Sequence, residues 1–165
     1  MALRCCIGIF FIFNIPNNGC MKHLGIFFSC LLLILPAMAQ KAPVERIWYN
    51  AEKTARIQIY KAVDGKFYGK IVWLQHPNDE QGAPRTDSKN PREALRKTPL
   101  MNYLILKAFN QTSDENIYEG GTVYDPNSGK TYCGKLTVKG SELKLKGYIC
   151  GFSLLSRTST WTLAQ

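Results

Sequence analysis

Histidine is nearly missing from this chain, with only His23 and His76 among 165 residues. A Ser-His-Asp relay needs an imidazole within reach of a nucleophile, and His76, wedged beside Pro77, is a poor donor for one. Cysteine is scarce where it would matter. Cys5, Cys6, Cys20 and Cys30 fall in the first 39 residues, leaving Cys133 and Cys150. With His76 these give three scattered ligands, whereas a structural zinc site takes four; neither a metal nor any other cofactor is expected. Acidic residues are outnumbered 21 to 12, a formal charge of +9. No apolar run reaches the roughly 20 residues of a spanning helix, and no repeat or low-complexity tract interrupts the sequence.

What stands at the start is an address. Met21-Lys22-His23 is a short basic opening, Leu24 to Leu35 an apolar run ended by Pro36, and Ala37-Met38-Ala39 a small-x-small cleavage site. Met21 therefore reads as the natural start and residues 1–39 as a removable targeting segment, with the run from Cys5 to Ile15 as upstream sequence or a first apolar segment. Cys30 follows Phe27-Phe28-Ser29, a poor context for lipid attachment. The expected product is a single exported domain, 40–165, periplasmic or secreted and without a membrane span. Loss of Arg4 and Lys22 leaves it a net charge of about +7. A basic surplus attracts nucleic acid, anionic lipid or acidic glycan; export makes nucleic acid an unexpected partner.

The domain reads as strands. Val44–Asn50, Arg56–Val63, Lys66–Gln75, Tyr103–Phe109, Ile117–Tyr124, Thr131–Val138, Glu142–Cys150 and Thr158–Leu163 alternate in polarity and are bounded by turn residues. Between His76 and Pro99, four prolines exclude regular structure beyond a helical turn at Arg92–Arg96. Such a long loop in a small domain is often functional. Eight antiparallel strands in chain order close most simply into an up-and-down barrel, which removes both edges and can hold one small ligand. An open β-sandwich is the competing arrangement. A three-residue Asp64-Gly65-Lys66 loop would oppose Val63 to Phe67, Ile59 to Ile71 and Ile57 to Trp73 on one face. Around Gly140-Ser141, pairing Val138 with Leu143, Leu136 with Leu145 and Tyr132 with Ile149 leaves Cys133 and Cys150 one diagonal step apart. A twist or bulge would then permit a disulfide.

Several blocks in order, Asp87-x-x-Asn90-Pro91, Tyr124-Asp125-Pro126 with Gly129-Lys130-Thr131-Tyr132, Lys146-Gly147-Tyr148 and Arg157-Thr158-x-Thr160-Trp161, resemble the bacterial domain-of-unknown-function family 2147. The resemblance runs from Trp48 to Trp161 and implies an exported bacterial protein with a lipocalin-like, calycin-type barrel. Lipocalins proper open with Gly-x-Trp; this chain has Arg46-Ile47-Trp48. The lipocalin likeness further implies barrel closure by Arg157 stacked on Trp48.

Three functions compete on the residues. Aromatic side chains combine apolar area with a polar tip, and Trp48, Phe67, Trp73, Tyr103, Tyr118, Tyr124, Tyr132 and Trp161 are candidates to line a pocket for a small amphipathic ligand. Arg96 and its basic loop could meet an anionic group on it. Most of these aromatics would equally serve as core. An outer surface that meets a protein or envelope polymer is the second reading. A hydrolase using Asp87 and Asp125 as paired carboxylates is the third, although Asp125 also suits turn capping. Gly129-Lys130-Thr131 lacks the upstream glycine of a phosphate loop, since Tyr124 stands there. The leading expectation is a non-enzymatic ligand-binding barrel.

Overall fold

Alternation decides the two faces of every strand. In the computed structural model, which describes residues 41–164 apart from the Ser153 side chain, Leu136 and Val138 of β6 (Lys130–Lys139) are buried while Lys135 and Thr137 turn outward. Leu143 and Leu145 of β7 (Glu142–Ile149) meet them, with Lys144 and Lys146 exposed. The same logic builds β1 (Ile47–Tyr49), β2 (Ala55–Lys61), β3 (Phe67–Leu74), β4 (Leu104–Gln111), β5 (Ile117–Asp125) and β8 (Phe152–Leu163). All neighbours are antiparallel, and Trp48 opposite Leu163 joins β1 to β8, closing an eight-stranded barrel in chain order. The expected targeting segment, residues 1–39, lies outside the described residues.

Antiparallel order places the β1–β2, β5–β6 and β7–β8 turns, together with the loop 75–103, at one end, here the mouth. The approach to β1 covers the opposite end, the base. There Val44 is fully buried and its carbonyl accepts the Trp48 indole N–H at 3.0 Å. Tyr118 is buried nearby, its ring 4.9 Å from that of Phe67.

Two facing irregularities fill the interior above the base. Leu106 and Phe109 are both fully buried although a regular strand would send residues three apart to opposite faces. Ala108, at φ +59°, breaks the alternation, and Gly120, at φ +74°, does the same on β5 between Tyr118 and the buried Gly121. Phe109 consequently turns inward and lies over β5 and β6. A Cβ on Gly121 would come within 2.4 Å of its ring, and one on Gly134 within 2.8 Å. Phe109 thus fills the space that two absent side chains leave.

The β2–β3 hairpin differs from the expected register by two residues. Lys61 opposes Phe67, Ile59 opposes Gly69 and Ile57 opposes Ile71, so the loop holds Ala62–Lys66 and Val63 is fully exposed. Ile57, Ile59, Phe67 and Ile71 still share the buried face, because a two-residue shift preserves parity. Trp73 does not join them. A bulge after Ile71 puts it opposite Arg56, whose guanidinium lies 5.0 Å from the Trp73 ring and 4.7 Å from that of Tyr49. Arg56 also donates to the Tyr49 hydroxyl. These three side chains form an outer ladder across β1, β2 and β3, with each cation–π contact worth roughly 0.5–2 kcal/mol.

The β6–β7 register follows expectation from Lys139–Glu142 to Cys133–Tyr148, where the ladder ends before Tyr132 can meet Ile149. Cys150 lies just past the end of β7, where the chain leaves the ladder for the turn that Gly151 makes at φ +84°, and Cys133 and Cys150 are bonded with Cα atoms 5.0 Å apart. β8 begins at Phe152, well before the expected Thr158. Its apolar start does not alternate, yet it is carried along by pairing with β7.

Candidate functional site

The loop 75–103 is anchored by a buried carboxylate. Asp87 is completely enclosed: the Tyr124 hydroxyl donates to its Oδ1 at 2.7 Å and the Asn90 amide to its Oδ2 at 2.6 Å. The same Asn90 amide reaches the Tyr103 hydroxyl at 3.0 Å, while Asn90 Oδ1 accepts the Arg92 N–H across Pro91 at 2.8 Å. Arg96 donates through Nε to the Asn90 carbonyl at 3.0 Å. Buried polar groups need partners, and here each side chain supplies one to the next. Asp125 has a different task. It caps the β5–β6 turn by accepting from the Asn127 N–H at 3.0 Å and the Ser128 hydroxyl at 2.7 Å, with Pro126 between. Gly129 completes that turn at φ +69° and sits so close to the loop that a Cβ would come within 2.0 Å of the Lys89 carbonyl oxygen. Lys89 in return donates to the Asn127 carbonyl at 2.7 Å.

Asp87, Asn90, Pro91, Tyr103, Tyr124, Asp125, Pro126, Gly129 and Arg96 therefore form one latch between loop and turn, with Lys130 exposed at its edge. The two carboxylates do not converge on a shared solvent-facing position, since Asp87 is enclosed and Asp125 serves its own turn. Burial, then the Asp87 carboxylate, pushes the Tyr124 hydroxyl far above the ordinary tyrosine range; the same causes raise Tyr103 less. The folded state thus holds this proton to higher pH than the unfolded chain does. The resulting stability is complete below the unfolded value of about 10 and is lost as pH rises beyond it. The urea midpoint is expected to fall more steeply above about pH 10 in the natural protein than in Tyr124→Phe. Equal slopes would remove Tyr124 as a source.

The open part of the mouth lies on the other side, over β6, β7 and β8. Tyr132, Gly147 and Arg157 continue the inward positions of these strands above the last packed layer, and with Ile149 and Leu155 at the exposed rim they line a groove of about 290 Å³. Tyr148 and Ser156, paired beside the β7–β8 register break, complete the wall. Gly147 faces Arg157, and its missing side chain leaves the floor open. Apolar walls with one guanidinium suit a molecule that is mostly apolar and carries an anionic group.

Of the anticipated ligand-binding aromatics, only Tyr132 lines this groove. Trp48, Tyr118 and Trp161 are sealed in the core, Tyr103 and Tyr124 belong to the latch, and Trp73 is in the outer ladder. Arg157 does not stack on Trp48. It lies about 20 Å along β8 from Leu163, the partner of Trp48. Tyr148, Ile149, Leu155 and Ser156 went unanticipated; the run of apolar residues before Arg157, lacking alternation, was the signal. Among the described residues, no group of three or more His, Cys, Asp or Glu side chains is placed to hold a metal ion, and no helix is long and apolar enough to cross a membrane.

The barrel is similar to the solved structure of protein HP1028 from Helicobacter pylori, described as belonging to the lipocalin family. The TM-score is 0.62 at 20% identity, over 74% of this chain and 83% of that one. At that identity the likeness is one of fold. No curated protein matches the chain. The model of DUF2147, described as an uncharacterized protein conserved in bacteria, matches residues 47–163, from the first strand of the ring to the last, and the chain belongs to that family.

Proposed function

We propose that this chain is an exported, non-enzymatic binding protein that takes a small, partly apolar ligand with an anionic group into the groove at the barrel mouth. Residues 1–39 act as the export signal, removed after Ala39, and the Cys133–Cys150 bond suits an oxidising compartment. One observation carries the binding reading. The interior is packed up to the level of Phe109, yet above it Tyr132, Ile149 and Leu155 border an open groove with Arg157 at hand.

The probe 1-anilinonaphthalene-8-sulfonate, an apolar ring system with one sulfonate, is expected to bind with saturable, one-to-one fluorescence enhancement. Gly147→Val fills the floor, where a Cβ meets only ordinary contact at 3.8 Å. Arg157→Gln removes the charge. Each is expected to weaken binding about tenfold, in line with the loss of packing space or of one charge-assisted hydrogen bond. Absence of saturable binding, or equal affinity in both variants, would overturn the proposal.

A further inference from the structure

The β7–β8 tip exposes large apolar side chains together: Ile149 at 52%, Phe152 at 50%, Leu154 at 83% and Leu155 at 64%. Scattered exposed apolar residues need no explanation, but a contiguous group on one projecting turn marks a contact surface. The Cys133–Cys150 bond ties this tip to β6, so the apolar group is presented on a braced element.

On the three strands that carry and flank it, the charge above the base has one sign. Strands β6, β7 and β8 carry Lys130, Lys135, Lys139, Lys144, Lys146 and Arg157, and their only acid between Lys130 and Leu163 is Glu142, at the base beside Lys139. Lys135 is neutralised by Glu119 of β5 at 2.6 Å. Lys130, Lys144, Lys146 and Arg157 are exposed. Lys146 lies about 10 Å behind Ile149 along the strand. An interfacial segment buries its apolar side chains about 5–10 Å into the headgroup and acyl boundary. That spacing sets the ammonium at the depth of the phosphates when the tip is immersed.

We propose that the β7–β8 tip docks on an anionic lipid bilayer, with Phe152 and Leu154 entering the interface and Lys146 meeting headgroup phosphates. Charge complementarity selects this occupant over a second copy of the chain, whose matching surface would bring the same cations together. The groove opens beside the tip, so docking would set its entrance against the lipid surface.

The test is co-sedimentation of the barrel unit, Gln40–Gln165, whose ring closes entirely within residues 47–163. Vesicles of phosphatidylcholine with about 30% phosphatidylglycerol are expected to bind it, pure phosphatidylcholine to bind at least about tenfold less, and added salt to weaken binding. The double variant Phe152→Asp/Leu154→Asp and the charge reversal Lys146→Glu are each expected to lose at least about tenfold in affinity. None of these three residues lines the groove, so probe binding by the variants should persist and reports their folding. The inference is overturned by absence of binding to the anionic vesicles or by binding that both variants retain. It is equally overturned by a dimer without lipid that the tip substitutions dissolve, which would make a second copy the occupant.

Discussion

Replacing Asp87 by alanine is expected to lower the free energy of unfolding by about 2–6 kcal/mol. The substitution leaves the Tyr124 hydroxyl and one N–H of the Asn90 amide buried without an acceptor, and each orphaned donor costs about 1–3 kcal/mol. Asp87→Asn should fall between the two. Its amide group fits the space, yet its nitrogen faces a donor wherever it is turned. Loss of the latch should also free the loop 75–103 from the β5–β6 turn, so protease cleavage in that loop is expected to accelerate well before global unfolding. Urea denaturation combined with limited proteolysis checks both effects. A change below about 1 kcal/mol would show that the cluster is not holding the loop.

The second large effect belongs to Phe109, which is expected to cost about 3–5 kcal/mol when truncated to alanine. Its ring lies against Gly121 and Gly134, so neither neighbour has a side chain able to swing into the vacated space. The cavity should therefore persist. A dry apolar cavity of that kind binds small apolar molecules, and benzene is expected to raise the melting temperature of Phe109→Ala but not of the natural protein. Thermal unfolding with and without benzene measures this. An unchanged melting temperature of the variant itself would mean that Phe109 does not support the interior.

Parity was legible in the sequence and loop length was not. Around Gly140 the alternation of Leu136, Val138, Leu143 and Leu145 admits one register, and the ladder has it. In the β2–β3 hairpin a three-residue and a five-residue loop keep the same residues inside, so the apolar pattern could not separate them. Trp73 escaped because one extra residue at Val72 reverses the facing of the rest of the strand. The latch was visible as the Asp87, Asn90, Tyr124 and Gly129 blocks, but not as a contact, because a loop of that length gives no register by which to place it. The mouth groove was least legible. Its residues owe their role to the strand across from them: Gly147 matters because Arg157 is its partner.

The ring also has an uneven circumference. β7 and β8 are paired over most of their length, whereas β1 is three residues long and meets β8 through Trp48–Leu163 and Tyr49–Thr162, extended by one further bond from Ala164 N–H to the Ile47 carbonyl. A closed ring shares strain among its joins, so it parts first at the join with the fewest bonds. The Arg56 ladder fastens β1 to β2 and β3, not to β8, and so reinforces the side of β1 away from this gap. Opening at the β1–β8 join would release the barrel as a curled sheet with β1 still attached to β2, exposing Trp48 and Trp161 together. The first step of unfolding would then carry an indole fluorescence signal of its own.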